Sequence, residues 1–146
     1  MTEIQELQSM ISQSSNIVFF GGAGVSTESN IPDFRSEDGI YRTKKQYGYP
    51  PECILSHEFF IKHTDVFYDY YKSNLIHKDA KPNAAHIALA ELEQKGRLKA
   101  VITQNIDGLH QMAGSNEVLE LHGSIHRNYC LKCRKAYSLQ YVIDSP

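Results

Sequence analysis

The stretch from Asn16 to Arg35, NIVFFGGAGVSTESNIPDFR, constrains what this chain can fold into more than any other. Its apolar run Ile17-Val18-Phe19-Phe20 breaks into Gly21-Gly22-Ala23-Gly24 and then Val25-Ser26-Thr27-Glu28-Ser29, the pattern of a buried strand, a glycine turn and a helix start. Such a step opens a nucleotide-binding βαβ unit. A side chain in the turn would keep the backbone off a pyrophosphate, and the N–H groups opening the next helix face the anion. Only the first two glycines of G-x-G-x-x-G are matched, and turns of this kind also occur without a ligand, so the turn alone does not decide function. Directly after it, Ile31-Pro32-Asp33-Phe34-Arg35 sets a rigid proline, an acid, an aromatic ring and a guanidinium where a loop can fold over a bound cofactor.

A chain of 146 residues with 41% hydrophobic side chains supports one domain with a real core, while two full domains would be cramped. A net charge of -2, from 15 basic and 17 acidic residues, gives no general electrostatic attraction to nucleic acid or to an anionic membrane. No apolar run approaches a membrane span, and the N-terminus MTEIQELQSMISQSS is acidic and amphipathic, unlike a signal peptide. Three cysteines, Cys53, Cys130 and Cys133, make an odd count suited to a reducing compartment, so the cytoplasm is expected.

Ile4, Leu7 and Ile11 share one helical face, and residues 2–13 read as a helix that covers the first strand. Ser36 to Pro51, rich in Gly, Tyr, Lys and Pro, reads as a long loop with one helical turn at most. Ser56 is placed to cap a helix from His57, and the apolar and aromatic residues through Leu75 give two helices broken near His63-Thr64, with Tyr68, Tyr70 and Tyr71 as core or rim aromatics. Pro82-Asn83 opens a strong helix that Gly96 ends, with His86 packing against its neighbours or capping a carbonyl. LKAVIT, residues 98–103, then adds a parallel strand. Gln104-Asn105-Ile106-Asp107 follows, just beyond a strand's carboxyl end, where open α/β sheets bind ligands. EVLELH, residues 117–122, alternates as a third strand ending at His122-Gly123.

From Ile125 onward the chain is more basic and carries Cys130-Leu131-Lys132-Cys133. This spacing is half a zinc knuckle, with a redox dithiol and a pair of inert thiols as the rivals. Two more ligands would be needed. The chain has no second C-x-x-C, and Cys53 is remote in sequence.

Taken in order, Gly22-Ala23-Gly24-Val25-Ser26, Ile31-Pro32-Asp33-Phe34-Arg35, Thr103-Gln104-Asn105-Ile106-Asp107, His122-Gly123 and the Cys130/Cys133 pair resemble the sirtuins, NAD-dependent protein deacylases, and bacterial members in particular. The resemblance implies an α/β fold: a Rossmann-like parallel sheet with helices on both faces, a helical insertion and the first half of a zinc-ribbon module. Residues 1–35 and 83–124 would then form the first part of the NAD-binding domain, 36–82 the cofactor loop and small helical lobe, and 125–146 the start of the zinc module. It further implies NAD as cofactor, one zinc ion held in part by Cys130 and Cys133, and an acetylated protein or peptide lysine as partner, with no nucleic acid and no membrane. Gly22, Ala23, Gly24, Ser26, Thr27 and Glu28 would line the cofactor, while Asp33, Phe34 and Arg35 belong to the loop that shields the reacting ribose from water. Asn105, Ile106 and Asp107 would form the nicotinamide pocket, with Asn105 also catalytic. Gln104 would bond the ribose. His122 would be the general base that draws a proton from a ribose hydroxyl.

Each residue also has an ordinary structural use. Asp107 or Asn105 can cap the helix at Gly108-Leu109-His110, His122 can end a strand, and Arg35 can pair with Asp33 or Glu37. In the helical lobe, desuccinylating relatives resemble a Tyr-x-x-Arg pattern, but Tyr68-Asp69-Tyr70-Tyr71 has Tyr71 in place of the arginine, which favours acetyl or another neutral acyl group. The family pattern runs on past Pro146, so the chain reads as the N-terminal part of a sirtuin with apolar sheet surface and an edge strand left open. Other readings are a catalytically silent NAD-binding or regulatory fragment and a mono-ADP-ribosyltransferase.

Overall fold

The computed structural model describes residues 2–33 and 36–146. These form two units, Met1–Ser29 with Lys81–Ser124, and Asn30–Ala80 with Ile125–Pro146.

In the first unit, helix α1 (Glu3–Gln13) begins with a reciprocal cap, the Gln5 amide donating to Thr2 Oγ1 and the Thr2 amide to Gln5 Oε1. None of its residues is buried, so it is not the hydrophobic cover expected of it. A polar clamp ties it down instead: Arg97 donates to the carbonyls of Ile11 and Ser12, both at 3.1 Å, at the end of the helix where the Ser14 amide also bonds Ile11.

Strands β1 (Ile17–Gly21), β2 (Leu98–Thr103) and β3 (Val118–Glu120) form a sheet in the order β1-β2-β3. Both pairings are parallel, as expected, with Gly21 opposite Thr103 and Thr103 opposite Glu120. Paired residues point to the same side, so Phe19, Val101 and Val118 share one face while Phe20, Ile102 and Leu119 share the other. Helices α6 (Ala84–Gln94) and α7 (Leu109–Ala113) serve the first face: α6 packs on β2 and α7, and the Phe19 ring lies 6.0 Å from that of His110 on α7. Val101 is fully buried there, a burial worth about 2 kcal/mol. On the second face Val18, Phe20 and Leu119 remain more than half exposed, the open apolar sheet surface expected from the sequence.

Between β1 and α6, the glycine turn runs into a 3₁₀ helix over Ala23–Ser29 rather than an α-helix. Asn83 caps α6 by accepting from the Ala85 amide at 2.9 Å, and Gly96, at φ +72°, ends it in the left-handed conformation expected of a terminal glycine.

In the second unit, the expected loop from Ser36 to Pro51 is mostly helix. Helix α2 (Glu37–Tyr47) fills eleven of those positions, and α3 (Pro51–Ile54) follows. Its terminal chemistry outweighs the absent apolar period: Ser36 Oγ accepts from the Gly39 amide, Glu37 and Asp38 occupy the first turn, Lys44 and Lys45 the last, and Gly48 takes φ +76° just beyond. Helices α4 (His57–Lys62), capped by Ser56, and α5 (Thr64–Tyr70) are separated at His63, as expected, and a π-helical turn over Tyr71–Leu75 continues α5. Tyr70 is fully buried and meets Tyr47 edge-on at 5.4 Å. Strands β4 (Asn128–Tyr129) and β5 (Ala136–Tyr137) form an antiparallel hairpin, and α8 (Leu139–Asp144) follows. Lys72 donates to the carbonyl of Ser145, just past α8. Among the described residues no helix is long and apolar enough to cross a membrane.

A Cβ at position 48 would meet no atom within 4 Å, so Gly48→Ala isolates the backbone cost of the left-handed cap. Urea unfolding is expected to show a loss of about 1 kcal/mol.

Candidate functional site

The three parallel strands of the first unit finish on a level, and the candidate residues stand at those ends. The Gln104 amide donates to the Gly21 carbonyl at 3.0 Å and the Leu121 amide to the Thr103 carbonyl at 2.9 Å. Each segment therefore leaves the sheet beside its neighbour. A Cβ on Gly22 would stand 3.0 Å from Gln104 Oε1, so the bare glycine leaves space that the glutamine tip uses. Gly24 is exposed, and a Cβ there would meet nothing.

Ser26 is the node of the cluster and is almost wholly buried. Its hydroxyl donates to Asp107 Oδ2 at 2.7 Å, accepts from Asn105 Nδ2 at 3.1 Å and faces His86 Nε2 at 3.5 Å. Asp107 Oδ1 accepts from the Leu109 amide at 2.9 Å, so the carboxylate both caps α7 and holds the 3₁₀ helix. The Asn105 amide donates to Thr103 Oγ1 at 3.0 Å. Asn83 Nδ2 reaches across to the Val25 carbonyl at 2.8 Å and to Ser29 Oγ at 3.0 Å. The start of α6 and the glycine turn thereby become one polar body.

Two histidines lie beneath this network. His86 is fully buried, and its Nδ1 accepts from the Asn83 amide at 3.2 Å. His110 is buried edge-on to it, with ring centroids 4.7 Å apart and no hydrogen-bond partner on either nitrogen. Burial lowers the pKa of His86 against an opposing pull from Asp107. Burial, reinforced by His86 and opposed by Asp107, pushes that of His110 down to about 4. Both rings are neutral at neutral pH.

His122 stands apart from them, exposed, and its Nδ1 lies 3.0 Å from the Gln104 carbonyl. A carbonyl only accepts, so Nδ1 carries the hydrogen and the neutral ring's lone pair is on Nε2. Gly123, at φ +83°, turns the chain immediately afterwards.

The structure thus brings together Gly22, Ser26, Gln104, Asn105 and Asp107, and joins His122 to them through Gln104. Ala23 and Ile106 are half-buried in the same segments. Thr27 and Glu28 are exposed, the Thr27 hydroxyl being spent on the Gly24 carbonyl in its own turn. The Ser26 hydroxyl faces Asp107 in the interior, so only its main chain is available to an anion at that turn. Asp33 belongs to the second unit. Phe34 and Arg35 lie outside the described residues. Of the two ordinary uses foreseen, the helix cap by Asp107 is present alongside the clustering, whereas His122 does not end a strand: β3 closes at Glu120, short of the expected 117–122, because the chain turns there, and His122 lies in that turn. Sequence reasoning missed His86, His110 and Asn83 as members. The spacing of Asn83 and His86 is that of a capping box and was the available signal.

In the second unit, Cys130 and Cys133 stand at the tip of the β4–β5 hairpin, where the Cys130 amide donates to the Lys135 carbonyl at 2.9 Å. The backbone N–H of Cys133 first, and that of Lys132 next, point at the Cys130 sulfur and lower its thiol pKa. Such a turn fits two metal-bound thiolates. Among the described residues, no group of three or more His, Cys, Asp or Glu side chains is arranged to hold a metal ion.

A parallel sheet whose strand ends gather a glycine turn, an amide-and-acid loop and a histidine defines an α/β protein with its polar cluster at the carboxyl ends of the strands. The sequence pattern of the Sir2 family matches residues 22–146, and the chain belongs to that family. It is 63% identical over 145 residues to an NAD-dependent protein deacetylase of Clostridium acetobutylicum, covering 99% of this chain and 59% of that protein. A Sir2 structure with a deacetylated peptide and 3′-O-acetyl ADP ribose superposes with a TM-score of 0.84 at 43% identity, covering 95% of this chain and 55% of the other. A Sir2 structure with a peptide and NAD+ gives 0.79 at 40% identity, covering 96% and 54%. The chain spans a little over half the length of these relatives.

Removing the node hydroxyl with Ser26→Ala takes away its bonds to the half-buried Asp107 and Asn105 side chains and is expected to cost about 1–3 kcal/mol in urea unfolding. The buried histidines also set a pH dependence. With a folded-state pKa near 4 against 6.5 in the unfolded chain, His110 takes up its proton more readily on unfolding. Stability is therefore full above the unfolded value and falls as the pH drops from 6.5 toward 4. His110→Leu is expected to make that slope shallower when unfolding is measured across the window.

Proposed function

We propose that this chain is the cofactor-binding front part of an NAD-dependent protein-lysine deacetylase. The observation that carries the reading is the single hydrogen-bonded cluster at the three strand ends, in a chain of the Sir2 family. When bound, NAD supplies an electrophilic ribose carbon and nicotinamide as the leaving group. The main chain of Gly22, Ala23 and Gly24 approaches the phosphates, where side chains would intrude. Asp107, oriented by its bonds to Ser26 and the Leu109 amide, accepts from the N–H groups of a carboxamide, and Ile106 supplies an apolar wall. His122 Nε2, left with the lone pair by the Nδ1–H bond to Gln104, takes the proton from a ribose hydroxyl.

Asp69, which accepts from the Tyr47 hydroxyl at 2.9 Å, and Tyr71 in place of an arginine favour acetyl or another neutral acyl group on the substrate lysine. Cys130 and Cys133 supply two of the four thiolates of a zinc site. Three free cysteines suit a reducing cytoplasm, the compartment we assign.

A chimera with residues 2–146 in place of the matching segment of the Clostridium acetobutylicum relative tests this. It is expected to deacetylate an acetyl-lysine peptide only with NAD, releasing nicotinamide and O-acetyl-ADP-ribose by mass spectrometry. ADP-ribosylated protein as the product would refute it. His122→Ala in the chimera is expected to lower turnover by at least about 100-fold while NAD still binds.

A further inference from the structure

We propose that His86 is a positioning residue for the strand-end cluster: braced by His110, it is held by the Asn83 amide as the Nε2–H tautomer and donates to Ser26 Oγ, which keeps the serine hydroxyl in place on the Asp107 carboxylate. The argument is one of donors and acceptors. The Asn83 amide can only donate, so the Nδ1 it contacts at 3.2 Å must be bare, and in a neutral imidazole the hydrogen is then on Nε2. That Nε2–H faces Ser26 Oγ at 3.5 Å, the longest link of the chain. Asn105 Nδ2 also donates to the same oxygen. Held by those two donors, the Ser26 hydroxyl places its own proton on Asp107 Oδ2 at 2.7 Å. Asp107 Oδ1 already accepts from the Leu109 amide. A carboxylate only accepts, so what His86 contributes is the position of the Ser26 hydroxyl and not the direction of its bond to Asp107.

His110 makes the arrangement singular. Its ring, edge-on to His86 at 4.7 Å, offers no hydrogen bond that would draw His86 into the other tautomer. The charged or titratable groups facing His86 are Asp107, from the loop after β2, and His110, from α7. A second proton on His86 would displace the Asn83 amide from Nδ1 and open the cap of α6, so the neutral tautomer is tied to the helix start.

The wiring itself is independent of any ligand. Its consequence for NAD rests on the function proposed above. Long-range ¹H–¹⁵N spectra of the labelled 146-residue chain read the ring nitrogens directly. His86 is expected to show protonated Nε2 and bare Nδ1 throughout the range where an ordinary histidine titrates. An Nδ1–H tautomer or ordinary titration overturns the proposal. NAD is then titrated into the same chain and followed by the amide shifts of Ser26 and Asp107. His86→Phe, which cannot donate to Ser26, is expected to weaken binding about tenfold. His86→Gln, whose amide can donate, is expected to stay within about threefold. Equal weakening in both variants, or none in His86→Phe, overturns the proposal. If wild-type amide shifts do not respond to NAD, the reading of NAD binding fails for this chain, and the ring-nitrogen spectra still decide the wiring. They decide it also if His86→Phe does not fold.

Discussion

Everything at the candidate site depends on the parallel register that sets Gly21, Thr103 and Glu120 side by side. Because the three strands stop on one level, the turn after β1, the loop after β2 and the residues after β3 emerge as neighbours. A slip of one residue would exchange the two faces of a strand, turning Phe19 or Val101 to the open side. It would also carry Ser26 out of hydrogen-bonding reach of Asp107, since one residue of strand is about 3.3 Å. The register is in turn held by the buried face under α6 and α7, where Leu98 and Val101 are sealed from solvent.

On that platform the polar residues solve a satisfaction problem. Burying Ser26, His86 and Thr103 would cost more than the hydrogen bonds return if any were left unmatched. The solution shares groups between elements: Asp107 caps α7 and anchors the 3₁₀ helix, and Asn83 caps α6 while bonding Val25 and Ser29. Residues that hold the fold together are the same ones that gather at the strand ends. His110 is an exception within the cluster, a buried imidazole with both nitrogens unpartnered, and its burial pushes its pKa down to about 4.

The second unit is held differently. Its helices are short and separated by caps and kinks, and what gathers them is aromatic: Tyr47 against Tyr70, Tyr49 against Phe59, Phe60 against Phe67. Edge-on packing of such rings fills a small lobe without long apolar helices. The cysteine hairpin in this unit is held by its own backbone bonds, from the Cys130 amide to the Lys135 carbonyl and from the Arg134 amide to the Cys130 carbonyl.

The strand, glycine turn and polar strand-end motifs were legible from residue order alone, because period-2 apolar runs and glycine punctuation are local signals. The same holds for the caps at Ser56, Asn83 and Gly96. Helix α2 was lost to the eye because its stability lies at its two ends and not in an apolar stripe, and α1 formed as read but without the buried face its pattern promised. The primary structure thus determined the parallel α/β plan and named Ser26, Asn105, Asp107 and His122. Only the tertiary structure decided that Ser26 turns inward to Asp107, that His86 and His110 stack beneath it, and that His122 keeps its lone pair on Nε2. Each of those outcomes follows from which donors and acceptors distant segments bring within hydrogen-bonding range, and no local pattern encodes that.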